Sequence, residues 1–129
     1  MKTRIALLYG GRSVEHEVSV ISGIQAYMAI DKEKYEITPV YLTKNNEMYV
    51  GEDIGKIESY RDIPALLNRS VRVIMINEGD GVYMTSHKSG LFGKKINIPV
   101  DLAFPIVHGT NVEDGALQGF FKTLGLPFV

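Results

Sequence analysis

Ile5-Ala6-Leu7-Leu8-Tyr9 runs without a polar break into Gly10-Gly11, and Arg12-Ser13-Val14-Glu15-His16-Glu17-Val18-Ser19 follows. An apolar run that stops at glycines predicts a strand buried on both faces and a sharp turn after it. Ser13 is placed to cap a helix, with Glu15 and Glu17 in the first turn, where carboxylates complement the helix dipole. Val14, Val18, Ile21 and Met28 form one apolar stripe, and Val20, Ile24 and Tyr27 a second. The helix is therefore expected to reach about Ile30 with both sides partly covered.

Outward from this unit, Tyr35–Leu42 reads as a second strand. Pro39 lacks a ladder N–H, which places that strand near a sheet edge or gives it a local irregularity. Asn45-Asn46 predicts a hairpin turn into Met48-Tyr49-Val50. A short helix is expected at Pro64–Leu67 and a strand at Val71–Ile76. Gly79, Gly81, Gly90 and Gly93 break Asn77–Pro99 into an irregular hairpin with no functional signature. Leu102–Val107 is strand-like and ends at His108-Gly109. A last helix is expected to start at Asn111, to bury Leu117, Phe120, Phe121 and Leu124, and to end at Gly125 before a new strand over Leu126–Val129.

Strands alternating with helices at both ends predict an α/β domain over residues 1–129, an open, mainly parallel Rossmann-like sheet with helices on its faces. In such sheets ligands sit beyond the carboxyl ends of the strands. The loops Gly10–Ser19 and His108–Gly115 both fall there. A final strand with nothing after it leads us to expect that the chain is one domain of something longer.

The length of 129 residues fits one domain. Fourteen Lys and Arg against 15 Asp and Glu leave a net charge of −1, which argues against nucleic acid or an anionic membrane as the main partner. No apolar run approaches the roughly 20 residues of a membrane span, and the amino terminus has no signal-peptide cleavage pattern. The absence of cysteine excludes disulfides, thiolate metal sites and a Cys nucleophile, and is compatible with a cytoplasmic location. His16, His87 and His108 lack metal-ligand spacing, so no metal site is expected in this chain. There is no G-x-S-x-G elbow and no nucleotide-binding glycine fingerprint.

The two loops leave a short set of chemical options. Gly10-Gly11-Arg12-Ser13 could hold an anion at a helix start, or simply make a tight turn. Glu15 suits an ammonium group, or only complements the helix dipole, and Glu17 is open to that second reading. His108 could orient a carboxylate or donate to an oxyanion, or merely cap its own loop. Glu113 and Asp114 could orient His108, or complement the dipole of the following helix. Together these residues suggest a crevice for a small ligand with an amino and an anionic group.

The same residues carry a family resemblance. Tyr9-Gly10-Gly11-Arg12-Ser13-Val14-Glu15-His16-Glu17-Val18-Ser19 resembles the G-G-x-S-x-E-x-E-V-S start of the N-terminal domain of D-alanine–D-alanine ligases, of the ATP-grasp superfamily. His108-Gly109-Thr110-Asn111-Val112-Glu113-Asp114-Gly115-Ala116-Leu117-Gln118-Gly119 resembles its H-G-x-x-G-E-D-G-x-L-Q-G signature. Leu124–Phe128 resembles the stretch leading into the ATP-grasp region, and the match runs end to end, loosest over Asn77–Pro99.

The resemblance implies a pre-ATP-grasp fold and an enzyme that joins two D-alanines with ATP and Mg²⁺, through an acyl phosphate, for the peptidoglycan precursor. It implies that Glu15 and His108 are the catalytic pair, Glu15 holding the ammonium of the first D-alanine and His108 lying beside the reacting carboxylate. Val18 would pack near the substrate methyl, and Gly10, Gly11, Ser13, Gly109, Glu113, Asp114 and Gly115 would support the loops. Val112 stands where the family has Gly, which implies a different path for that loop. The ATP and Mg²⁺ sites would lie in a central ATP-grasp and a C-terminal domain, so this chain alone is expected to be inactive. D-alanine–D-serine and D-alanine–D-lactate ligases, and a non-catalytic amino-acid-binding module, remain alternatives. The resemblance also allows a homodimer.

Overall fold

The computed structural model describes residues 1–12, 15–86, 96–106 and 116–129, with only the backbone of Ala116. Strand β1 (Thr3–Gly10) leads into helix α1 (His16–Ala29), β2 (Tyr35–Leu42), β3 (Met48–Val50), a 3₁₀ turn (Ile57–Arg61) and helix α2 (Ile63–Asn68). Then come β4 (Val71–Asn77), β5 (Val82–Ser86), β6 (Asn97–Val100), β7 (Leu102–Ile106) and helix α3 (Ala116–Leu124). Among the described residues the strands form one sheet in the order β6-β5-β4-β3-β2-β1-β7.

The α/β architecture is as expected, and the sheet is mixed. Parallel strand pairs join β2, β1 and β7, whereas β2-β3, β3-β4, β4-β5 and β5-β6 are antiparallel. Short turns join β2 to β3 and β4 to β5, and short turns can join only antiparallel neighbours. At the other side of β7, Phe128 makes an isolated parallel bridge to Ala103, the start of the strand expected over Leu126–Val129.

Strand β1 is buried on both faces because its side chains alternate between two cores. Ala6 and Leu8 join Val40, Val73, Met84 and Phe121 on one face, and Tyr9 joins Val20, Ile24, Tyr41, Ile54 and Leu66 on the other. Helix α1 therefore covers one face and α3 the opposite one. Burial of this set supplies the main driving force for folding.

Helix α1 shows where apolar spacing misled. Val20 and Ile24 are buried, but Val18, Ile21 and Met28 are 54%, 48% and 73% exposed. A helix lying on one sheet buries one stripe only, so the stripe of Val18, Ile21 and Met28 is left at the surface. Phe120 of α3 is likewise 40% exposed, while Phe121 is fully buried. That helix ends at Gly125, with Gly125 N–H donating to Lys122 O and Leu126 N–H to Phe121 O, the paired bonds of a Schellman ending.

Pro39 lies within β2, opposite Leu7 of β1, and β2 is an internal strand. Its pairing with β3 involves only Tyr41 and Leu42, so at Pro39 the strand has no neighbour on that side. The local-edge requirement of proline is met by the shortness of β3.

Candidate functional site

Three parallel strands point their carboxyl ends to one edge. In register, Tyr9 of β1 lies between Tyr41 of β2 and Ile106 of β7, and Gly10 opposes Leu42. The chain leaves β1 through Gly10 and Gly11, with φ of 95° and 90°. A side chain at Gly10 would bring its Cβ to 2.4 Å from Leu42 O, so both the turn and the close approach require glycine there. Gly11 N–H then donates to Leu42 O at 2.9 Å, and Arg12 N–H to Asn46 Oδ1 at 3.2 Å. The β1–α1 loop and the β2–β3 turn thus share this edge.

Ser19 joins the first loop to the end of β7. It is fully buried in the second turn of α1. Its Oγ accepts from Gly10 N–H at 2.9 Å and donates to Ile106 O, the last described residue before the segment that contains His108. One hydroxyl therefore clasps the ends of β1 and β7.

Glu15 occupies the N-cap position of α1, so the helix begins at His16 and not directly after Ser13. Its side chain is exposed and makes no capping bond, while its carbonyl accepts from Ser19 N–H at 3.0 Å. The positive end of the helix dipole favours an ionised carboxylate at this place. Val18, three residues on and on the same flank, is exposed beside it. Ser13, His108, Gly109, Val112, Glu113, Asp114 and Gly115 lie outside the described residues, as does the expected cap at Asn111.

Sequence reasoning gave no role to the polar groups under the loop. His16 is 2% exposed, with Nδ1 at 2.6 Å from Gly11 O and Nε2 at 2.7 Å from Tyr41 Oη. Burial, then Glu17, pushes the Tyr41 phenol up to about 12. Tyr9 and Tyr60 both donate to Ile54 O at 2.6 Å, and burial pushes both phenols up as well. Val20, Ile21, Ile57 and Ile63, together with His16 and Glu17, line a groove of about 370 Å³. The only sequence signal for Ser19 and His16 was their place inside the first motif; one partner of each, Ile106 and Tyr41, lies far along the chain.

Against known proteins, the family described as the D-ala D-ala ligase N-terminus matches residues 4–129. The chain belongs to this family. A D-alanine–D-alanine ligase from Thermoanaerobacter sp. (strain X514) is 38% identical over 99% of this chain and 34% of its own length. One from Thermosipho melanesiensis is 32% identical over 96% of this chain and 33% of its own length. The chain thus spans about a third of the curated relatives it matches. Among solved structures, the D-alanine–D-alanine ligase of Coxiella burnetii superposes with a TM-score of 0.78 at 28% identity, covering 99% of this chain and 35% of that one. The VanG D-Ala:D-Ser ligase of Enterococcus faecalis superposes at 0.74 and 31% identity, covering 100% of this chain and 36% of that one. The ligase N-terminal fold is therefore the fold of this chain.

Among the described residues, no group of three His, Asp or Glu side chains could hold a metal ion. No described helix is long and apolar enough to cross a membrane.

Proposed function

We propose that this chain is the substrate-facing domain of a cytoplasmic, ATP-dependent D-alanine–D-alanine ligase that supplies the peptidoglycan precursor. The observation that carries this reading is the Ser19 clasp, which anchors the Glu15 loop and the end of β7 side by side. In this reading Glu15 holds the ammonium of the first D-alanine, Val18 lies against its methyl group, and His108 stands by the reacting carboxylate. Gly10, Gly11, Ser13, Gly109, Glu113, Asp114 and Gly115 shape the two loops.

The chain's own work is binding and orientation. A carboxylate fixed at a helix start pairs with an ammonium by charge-assisted hydrogen bonds, and holding one reactant in place removes much of the entropic barrier to joining two. The described residues contain no group of three that could hold Mg²⁺. A Bacillus anthracis D-alanine–D-alanine ligase whose structure was solved with ATP superposes at a TM-score of 0.52 and 26% identity, and supports ATP as the co-substrate. We place the ATP and Mg²⁺ sites in an ATP-grasp domain and a C-terminal domain beyond residues 1–129.

The experiment is to read the gene past the Val129 codon and assay its complete product for D-alanine-dependent ADP release. Activity that requires D-alanine, with the KM for the first D-alanine raised in Glu15→Gln, is the expected result. A complete product without an ATP-grasp region, or without that activity, overturns the reading. It would leave the amino-acid-binding module, to be tested by titrating D-alanine. The likeness to VanG favours a second substrate test, D-serine against D-alanine as acceptor.

A further inference from the structure

His16 directly follows Glu15, yet the two side chains have opposite surroundings: Glu15 is exposed and His16 is 2% exposed. A carbonyl oxygen can only accept, so the 2.6 Å contact to Gly11 O puts the ring proton on Nδ1. In the neutral imidazole Nε2 then carries the lone pair and accepts from Tyr41 O–H across 2.7 Å. The two rings also meet edge-on, centroids 5.4 Å apart at 85°. Tyr41 sits on β2 opposite Tyr9 of β1, so two hydrogen bonds in series tie the loop carbonyl of Gly11 to the rigid sheet.

We propose that His16 is a positioning residue for Glu15, its imidazole tying the β1–α1 loop to Tyr41 and so setting where the Glu15 carboxylate meets the ammonium of the substrate. This rests on the ligase reading above. The backbone that carries Glu15 is fixed at its own carbonyl by Ser19 N–H, and the next residue is fixed by Gly11 and Tyr41. An apolar side chain of similar volume would fill the same space. Only the imidazole offers a donor to Gly11 and an acceptor to Tyr41 at once.

The test uses the complete gene product and steady-state ADP release against D-alanine, with thermal melting in parallel. His16→Asn keeps an amide N–H at the place of Nδ1 but loses Tyr41, and His16→Gln, whose amide reaches the place of Nε2, loses Gly11. Each breaks one bond of the series and should raise the KM for the first D-alanine about tenfold, with kcat within about threefold. Tyr41→Phe removes the O–H at the other end and should raise that KM equally, and His16→Gln combined with Tyr41→Phe should be no worse than either alone. Unchanged KM in the folded single variants overturns the positioning role. So do additive effects in the double variant, because the two bonds would then not act as one tether. A wild-type product without D-alanine-dependent turnover overturns the ligase reading itself, and this inference with it.

Discussion

Ser19→Ala removes one oxygen and nothing else from the centre of the site. The oxygen is fully buried, accepts from Gly10 N–H at 2.9 Å and donates to Ile106 O. Its loss leaves Gly10 N–H without a partner, away from water, and a buried unpaired donor costs about 1–3 kcal/mol. Ile106 O loses a bond as well, though a carbonyl with two lone pairs tolerates that better. The expected destabilisation is therefore about 2–3 kcal/mol, a large share of the roughly 5–15 kcal/mol of a typical domain. Equilibrium unfolding in urea measures it as a lower midpoint with an unchanged slope. Ser19→Thr keeps the hydroxyl and should recover most of the loss. A loss below about 0.5 kcal/mol in Ser19→Ala would mean that water reaches Gly10 N–H and that the clasp does not hold the two strand ends together.

Three further outcomes follow from the same structure. In Gly23→Ala the new Cβ would lie 2.4 Å from Tyr9 Cβ and Cγ. The gain in helix propensity is about 1 kcal/mol, and the clash should outweigh it, lowering the melting temperature and the urea midpoint. The burial of Tyr9, Tyr41 and Tyr60 raises all three phenols, Tyr41 to about 12. Unfolded tyrosines ionise near 10, so this stability is complete below about pH 10 and is lost as pH rises toward the folded value, by about 1.4 kcal/mol per unit and tyrosine. Phenolate absorbance followed against pH should show Tyr9, Tyr41 and Tyr60 ionising together with unfolding, whereas Tyr83, raised by its hydrogen bond to Asp80, ionises without it. Asp101 is held below the usual carboxylate range first by the Arg4 side chain and then by Arg4 N–H. Its contribution is present above about pH 4 and fades as pH falls through its folded value. With side chains 37% and 39% exposed, the pair is worth less than about 1 kcal/mol, so Asp101→Ala should cost less than Ser19→Ala in the same urea titration.

Elements with a strong local signature were legible in the sequence. The apolar run of β1, the glycines after it and the period of α1 need no distant partner to be recognised, and the structure has them within a few residues of expectation. Orientation within the sheet was less legible. A buried strand looks the same whether its neighbour runs parallel or antiparallel, so the antiparallel half emerged only with the structure. Burial of the Val18, Ile21 and Met28 stripe of α1 failed for a related reason: an apolar residue at helical spacing is not thereby covered. At the site, motif spacing marked Glu15 and Val18, and the structure puts them on one exposed flank. Ser19, His16 and Tyr41 act through partners as distant in sequence as 87 and 25 residues, and no local pattern encodes such pairings.

The mixed sheet has a functional logic that can be tested. Parallel pairing sends successive strand ends, and the loops after them, to one edge, which is what a two-loop site needs. Antiparallel hairpins return each strand to the opposite edge and cannot concentrate loops in that way, but they bury apolar area over short connections. In this chain the parallel group β2-β1-β7 carries Gly10, Glu15 and Ser19, and the antiparallel β4, β5 and β6 contribute Val73, Met75, Met84 and Val100 to the core. The two halves should therefore separate under mutation. Met84→Ala, at a fully buried position, should cost about 2–5 kcal/mol of stability yet, on the ligase reading, leave the KM of the folded, complete gene product for D-alanine within about twofold. A large KM change in that variant, at a temperature where it remains folded, would show that the antiparallel half shapes the site and does more than support it.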